Sequence, residues 1–99
     1  MARAEFQPCV YLLASRRNGT LYCGVTTNLI KRVWEHREGF GSRFTAKHGV
    51  TRLVWFEQHD EIGSAMVREK RIKGWRRAWK LRLIEEANPV WRDLYDELQ

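Results

Sequence analysis

The stretch CVYLLASRRNGTLYCGVT, residues 9–26, decides the fold. Its first seven and last seven residues are rich in β-branched and aromatic side chains and show no helical period, so each half predicts a strand. Between the halves lies Asn18-Gly19, a dipeptide that favours a tight hairpin turn. The sequence therefore predicts that the first two strands are antiparallel neighbours.

The register of this hairpin determines which side chains share a face of the sheet. A two-residue turn pairs Ser15 with Tyr22, and a loop one residue longer would break that pairing. Because side chains alternate along a strand, the two-residue turn places Tyr11 and Tyr22 on the same face.

The rest of the chain predicts helices and one more strand. Residues 26–39 predict a helix with a Thr or Asn cap and an apolar side that includes Trp34, whereas residues 40–49 predict a loop. Residues 51–58 predict the third strand. A long helix is predicted from its cap Ser64 to about residue 86, followed by a short last helix, since a proline at position 89 forces the chain out of helix. The expected fold is mixed α/β (α+β): a small three-stranded antiparallel sheet flanked by helices, in the order β-β-α-β-α-α.

Length and composition limit the classes of protein. A chain of 99 residues predicts one domain, residues 1–99, with a modest core. No apolar run approaches the roughly 18 residues of a membrane span, and no signal peptide is visible, so a cytoplasmic protein is expected. The two cysteines, Cys9 and Cys23, are expected to be buried thiols rather than a disulfide, and they do not have zinc-binding spacing.

Positive charge is concentrated in REKRIKGWRRAWKLR, residues 68–82, within a chain of net charge +6. Such a helix, with Trp75 and Trp79 between its cations, favours binding to the phosphates of nucleic acid. Two alternatives stay open: Trp79 fills the core, or the helix binds a membrane surface or calmodulin. The candidate nucleic-acid-binding residues are Lys31, Arg43, Lys47, Arg68, Lys73, Arg76, Arg77 and Lys80.

One carboxylate in this helix is conspicuous. Glu69 lies four residues after Ala65 and three before Ile72, on the side of the helix expected to face inward. Burial of a carboxylate costs several kcal/mol unless the group is paired or ligates a metal. Glu69 is therefore either a metal ligand or a residue at the rim of the core, paired with Arg32 or a neighbouring lysine.

Five residues together suit phosphodiester cleavage, which needs water activation, charge stabilisation and a bound substrate. Tyr11 and Tyr22 offer phenol oxygens on one face of the sheet. Arg32 offers a bidentate phosphate contact, and His36, four residues later on the same helix face, offers proton transfer near neutral pH. Glu69 offers a metal ligand.

These residues stand in an order that resembles the GIY-YIG nuclease superfamily, and most closely its small bacterial single-domain branch. The two signatures correspond to CVY at residues 9–11 and YCG at residues 22–24. The segment TNLIKRVWEHREG is similar to the following helix, and AMVREKRIKGW resembles the helix that carries the metal-binding Glu. The resemblance spans about residues 9–91.

The resemblance implies hydrolysis of a DNA strand with one divalent ion, Mg²⁺ or Mn²⁺. It implies that Tyr11 is the general base or positions the water, that Tyr22 supports it, and that Arg32 stabilises the transition state. Glu69 would be the sole protein ligand to the metal, and His36 a proton relay or phosphate contact.

Two structural roles accompany these. Gly24 is expected to allow close approach to the sheet, and Asn88 is expected to be structural. The chain also departs from the family pattern: Cys9 replaces the first glycine, and a lysine that some relatives have just after the second signature is absent. The loss of that cation is expected either to lower activity or to shift its role to Lys31.

The sequence therefore predicts a metal-dependent endonuclease that acts on branched, flapped or single-stranded DNA, with RNA not excluded. A protein partner would supply targeting, and the oligomeric state is left open. The alternatives are a non-catalytic nucleic-acid-binding module and an adaptor in a repair complex.

Overall fold

A computed structural model describes residues 7–98, and its architecture is a three-stranded sheet between two layers of helices. The elements are β1 (Cys9–Ala14), β2 (Leu21–Thr26), α1 (Leu29–Arg37), α2 (Arg43–His48), β3 (Arg52–Gln58), α3 (Ile62–Gly74), α4 (Arg77–Ala87) and a closing 3-10 helix (Leu94–Leu98). The strand order is β2-β1-β3, and both pairs are antiparallel. The predicted class and the order β-β-α-β-α-α are confirmed, with α2 as an addition.

The hairpin has a longer turn than the sequence suggested. Tyr22 pairs with Leu13 instead of Ser15, because residues 16–19 all belong to the loop. The pairing is thereby displaced by two residues, and a displacement of two preserves the face on which each side chain lies. Tyr11 and Tyr22 consequently share a face, as predicted.

The central strand β1 is buried on both sides, with all six side chains inaccessible to solvent. Val10 and Leu12 pack beneath α3 and α4, whereas Tyr11 and Leu13 pack beneath α1. This alternation follows from the two-residue period of a strand. Of the two free and buried cysteines, Cys9 belongs to the α1 side and Cys23 to the α3 side.

Helix α1 begins and ends where the sequence indicates. Asn28 caps it by accepting a hydrogen bond from the backbone of Lys31 at 3.1 Å, and Gly39 follows its end with a φ of 89°. Trp34, expected on the apolar side, is 47% exposed. The buried side instead includes His36, whose ring nitrogens have hydrogen-bond partners.

Helix α2 lies where a loop was predicted, and that prediction is wrong. Ser42 caps the helix by accepting a hydrogen bond from the backbone of Thr45 at 3.0 Å. Gly49 ends it in the left-handed region, with a φ of 63°. The short length of α2, six residues, leaves almost no periodic signal in the sequence.

The long helix predicted to run to residue 86 is divided into α3 and α4. After Gly74 the backbone is extended at Trp75 and Arg76, with ψ values of 151° and 156°. Glycine is a poor helix former, and no proline marks the break. α3 also begins before Ser64, the predicted cap, and Trp79 belongs to α4, where it is 46% exposed.

Asn88 ends α4 and ties the end of the chain to the sheet. Its buried amide donates to the carbonyl of Val54 at 3.1 Å and to that of Arg92 at 2.8 Å, and its Oδ1 accepts from the backbone of Arg92 at 3.0 Å. Both N–H donors of the Asn88 amide and one of the two acceptor positions of its oxygen are therefore used for structure. Among residues 7–98, no helix has the length and apolar character needed to cross a bilayer.

Candidate active site

Tyr11 is the centre of the candidate site. It lies on the central strand, 1% exposed, and its phenol covers Gly24 of β2. A Cβ atom at position 24 would overlap the Tyr11 ring and hydroxyl. Gly24 therefore makes room for the Tyr11 side chain, whereas the sequence suggested room for backbone or substrate.

A buried chain of hydrogen bonds runs from Tyr11 to helix α2. The Tyr11 hydroxyl lies 2.9 Å from Nε2 of His36, and Nδ1 of His36 lies 2.9 Å from Oγ1 of Thr45. His36 and Thr45 are fully buried. Gly41 makes room for the imidazole, because a Cβ there would overlap the ring. The chain of contacts fixes both the position and the orientation of His36.

The hydrogen-bond geometry also indicates which His36 nitrogen carries the proton. Oγ1 of Thr45 lies 3.2 Å from the carbonyl oxygen of Ser42, which can only accept, so we assign the Thr45 hydroxyl as donor there. Nδ1–H of His36 then donates to Thr45, which leaves Nε2 as the acceptor for the Tyr11 hydroxyl. In this arrangement each group in the chain has a partner of the right kind.

The site holds both ring groups in their neutral forms near pH 7. Burial, and then the positive charge of Arg32, lower the pKa of His36 to about 4, although Glu35 opposes this. Burial, and then the neighbouring Tyr22 phenol, raise the pKa of Tyr11 well above its ordinary value, which Arg32 partly offsets. The hydrogen bond between Tyr11 and His36 therefore joins two uncharged groups.

Arg32 lies beside this neutral pair and is held by two contacts. Nη1 of Arg32 donates to the Glu35 carboxylate at 3.0 Å, and Nη2 donates to the carbonyl of Gly41 at 2.8 Å. The side chain is 32% exposed. With five N–H donors, Arg32 retains donors for a phosphate while these contacts hold it in place.

Tyr22 is the more accessible of the two tyrosines. Its ring centroid lies 6.3 Å from that of Tyr11 and 5.2 Å from that of His36. It stands on the edge strand β2 and is partly exposed. Tyr22 therefore presents a phenol to solvent beside the buried Tyr11–His36 pair.

Glu69 approaches from the other side of β2. Its helix, α3, packs on the face that carries Cys23, whose Sγ lies 3.9 Å from the Glu69 carbonyl oxygen. The Glu69 side chain is 15% exposed and forms an ion pair with Lys73. The Glu69 carboxylate is the main cause that raises the pKa of Lys73, and the Tyr22 phenol contributes a smaller part of the same shift.

The donor set suits a lightly held divalent ion. Among residues 7–98, no group of three or more His, Cys, Asp or Glu side chains could enclose a metal. Mg²⁺ commonly keeps several waters and takes one or two carboxylates, so the single carboxylate of Glu69 fits it. Lys73 occupies that carboxylate, and an ion would have to displace it. Of the two partners predicted for Glu69 at the rim of the core, the structure shows the neighbouring lysine, Lys73, and not Arg32.

The candidate nucleic-acid-binding cations fall into two groups. Arg68 donates to both oxygens of Glu57, and Arg77 donates to the carbonyls of the hairpin turn, so these two, with Lys73, have protein partners. The others are Lys31, Arg43, Lys47, Arg76 and Lys80, which are exposed or partly exposed. Since α3 and α4 are separate, the basic residues within positions 68–82 do not lie on the one continuous helix that was predicted.

Two residues of the site were missed at the sequence level because both belong to α2. Thr45 completes the His36 hydrogen bonds, and Phe44 stacks on Tyr22 with ring centroids 6.3 Å apart. The signals that could have found them are the Ser42 cap, three residues before Thr45, and Gly49 after the helix.

Comparison with known proteins places these observations in a family. A model of the GIY-YIG catalytic domain matches residues 7–82, so the chain belongs to the GIY-YIG family. The chain is also similar to UPF0213 proteins: 43% identical to one of Natronomonas pharaonis, over 78% of this chain and 89% of that protein, and 40% identical to one of Syntrophus aciditrophicus, over 81% and 91%. The solution NMR structure of a UPF0213 protein from Bacillus halodurans matches with a TM-score of 0.55 and 28% identity, over 88% of this chain and 92% of that one.

The predicted resemblance is therefore confirmed. The family match includes the strands that carry both tyrosines and the helix that carries Glu69. Membership of a nuclease family also indicates that the substrate is a nucleic acid.

Proposed function

We propose that the protein is a metal-dependent endonuclease that hydrolyses phosphodiester bonds in DNA. The observation that carries the proposal is the buried hydrogen-bond chain from Tyr11 through His36 to Thr45, with Arg32 beside it. The chain places three hydrogen-bonded polar side chains in the buried core beside Arg32, where side chains that serve packing alone are usually apolar, and this argues for a use beyond stability.

The pKa directions favour one of the two roles considered for Tyr11. A phenol whose pKa is raised is a weak acid, and His36, with a pKa of about 4, is a weak base. Neither group readily takes up a proton in the resting site. We therefore assign Tyr11 to positioning the attacking water, with its own O–H donating to His36 and its oxygen accepting from the water. The proton that the water loses as it attacks passes to bulk solvent, because neither ring group takes it up. Tyr22, which is partly exposed, assists from the side nearer to solvent.

Charge stabilisation falls to Arg32 and Glu69. Arg32 donates to the non-bridging oxygens of the phosphate, where negative charge increases in the transition state. Glu69 is the residue that would hold a divalent ion, Mg²⁺ or Mn²⁺, and such an ion would supply positive charge to stabilise the transition state. Lys73, once displaced from Glu69, becomes available to the phosphate backbone.

The same features suggest a substrate defined by shape. The candidate residues are assigned to the phosphate, the water and the metal, and none of them is assigned to base edges, on which sequence readout depends. We propose branched, flapped or single-stranded DNA as the substrate class. We also propose a single domain, residues 1–99, that acts in the cytoplasm, with a protein partner to supply targeting.

A cleavage assay tests the proposal. Labelled single-stranded, duplex, flap and branched DNA, with matched RNA, would be incubated with Mg²⁺, Mn²⁺ or EDTA. We expect metal-dependent cuts that disappear in Glu69→Gln, a variant that keeps the shape of the side chain and removes its charge. Binding of Glu69→Gln to DNA should be retained, because the exposed cations are unchanged. Cleavage that persists in EDTA or in this variant would refute the assignment.

A non-catalytic nucleic-acid-binding module, or an adaptor in a repair complex, is the second candidate. The observation in its favour is that two of the catalytic groups already have protein partners: Glu69 pairs with Lys73, and Arg32 with Glu35 and Gly41. Binding without cleavage of any substrate in either metal would support this candidate over the nuclease.

A further inference from the structure

A row of aromatic rings leads outward from the candidate site along helix α2. Tyr22 stacks on Phe44 with a centroid separation of 6.3 Å and an interplanar angle of 29°. Phe44 in turn contacts His48, one helical turn further on, with ring centroids 4.7 Å apart. The row therefore begins at Tyr22 beside His36 and ends at the surface of the protein.

The outer part of this row is open to solvent. Phe44 is 43% exposed, and His48 is exposed as well. A phenylalanine on a six-residue helix could have been turned under the sheet, yet the buried position of α2 is occupied by Thr45, which holds His36. The same short helix thus fixes a group of the candidate site on one side and displays an aromatic ring on the other.

The charges around the row suit a polyanion. Arg43 and Lys47 lie on either side of Phe44 in the sequence and are exposed. Neither takes part in an ion pair within the described part of the chain. An aromatic surface between cations is the arrangement that binds single-stranded nucleic acid, with bases on the rings and phosphates on the cations.

We propose that Phe44 and His48 form a stacking platform for an unpaired base that flanks the phosphate to be cut. The inference deepens the proposed function and rests on it, because it names the feature of DNA that the site selects. A base within a duplex is stacked between its neighbours and cannot lie on this platform. A single-stranded or flapped segment can, so the platform provides a physical basis for preference by shape.

Binding without cleavage tests the platform separately from the chemistry. Affinity would be measured in EDTA by fluorescence anisotropy, with Glu69→Gln as the parent protein. The ligands would be a single strand, the same sequence as a blunt duplex, and a strand whose central nucleotides lack bases. We expect Phe44→Ala to weaken binding to the single strand by about tenfold, which corresponds to about 1.4 kcal/mol of stacking. Binding to the duplex and to the abasic strand should change little.

Phe40→Ala is the matched control, since Phe40 is also an exposed phenylalanine but packs on Trp34 instead of Tyr22. We expect it to bind all three ligands as the parent does. Phe44→Trp should restore the affinity for the single strand, which separates loss of stacking from loss of fold. Equal losses on all ligands, equal effects of the two alanine variants, or no effect of Phe44→Ala would overturn the platform.

The two proposals can fail independently. If Phe44→Ala weakens binding to unpaired bases while no metal supports cleavage, the platform stands and the nuclease assignment fails. If DNA is cleaved with an unchanged preference for unpaired segments in Phe44→Ala, the nuclease assignment stands and the platform fails. A parent protein that binds none of the three ligands would overturn the platform.

Discussion

Acidification should destabilise this protein through one buried side chain. His36 is neutral in the folded chain because burial lowers its pKa to about 4, whereas an exposed imidazole in the unfolded chain has a pKa of about 6.5. Between these two values the unfolded state binds one more proton than the folded state. The free energy of unfolding therefore has its full value above about pH 6.5 and falls as the pH is lowered towards 4.

The size of the effect follows from the same two values. The pKa difference between about 6.5 and about 4, at about 1.4 kcal/mol per pH unit, predicts a loss of about 3 kcal/mol. Small domains are typically stable by about 5–15 kcal/mol, so a loss of this size is a substantial fraction.

Urea unfolding in buffers at a series of pH values from about 7.5 to about 4.5 measures how the free energy of unfolding depends on pH. His36→Gln keeps a polar side chain but cannot titrate. Its free energy of unfolding should be lower than that of the wild type at pH 7 and should depend less on pH as the solution is acidified. His48→Gln, at an exposed position, should follow the wild type. If wild type and His36→Gln lost stability in parallel across this range, the assignment of a neutral, buried His36 would be refuted.

Three further substitutions test the site. Arg32→Ala should lower turnover by about a hundredfold, the cost of losing one transition-state donor, as measured in single-turnover cleavage. Lys73→Met should bind Mn²⁺ several-fold more tightly in titrations without DNA, because it frees the Glu69 carboxylate and removes a positive charge beside it. Gly24→Ala should lower the free energy of unfolding by about 1–3 kcal/mol, because its methyl group would overlap the Tyr11 phenol.

Each substitution has a matched control on the same element or of the same residue type. Lys31→Ala, next to Arg32, should affect DNA binding more than turnover. Lys70→Met removes the same charge as Lys73→Met, but within residues 7–98 Lys70 forms no ion pair with Glu69, so Mn²⁺ affinity should change little. Gly63→Ala, where a Cβ meets nothing within 4 Å, should leave stability unchanged or slightly higher. A control that behaved like its partner would point to a general effect of charge or of helix propensity.

The hairpin and its consequence for the site could be predicted from the sequence. The register was wrong by two residues, yet the shared face of Tyr11 and Tyr22 was correct, since only an odd displacement exchanges the faces. Arg32 and His36 were placed on one helix face by their spacing alone. These relations depend on local periodicity, which the sequence carries directly.

Relations that depend on tertiary contacts were not predictable in this way. Thr45 is a partner for His36 only because α2 folds back on α1, and nothing in a six-residue segment specifies that contact. The break at Trp75 similarly has no proline to mark it, so Trp79 was predicted to lie on the same helix as Glu69, whereas it lies on α4 and is 46% exposed. The ion pair between Glu69 and Lys73 was within reach of the sequence, because their spacing of four residues favours it.

The placement of the candidate groups on opposite sides of an edge strand has a consequence for the effects of substitutions. Tyr22 and Cys23 are neighbours on β2, but the first faces the tyrosine side and the second faces the helix that carries Glu69. Substitutions that repack one layer leave the other layer in place, since the sheet separates them. Under the proposed function, metal affinity would therefore depend on one layer and water positioning on the other, so a substitution in one layer would alter one of them and leave the packing of the other layer in place.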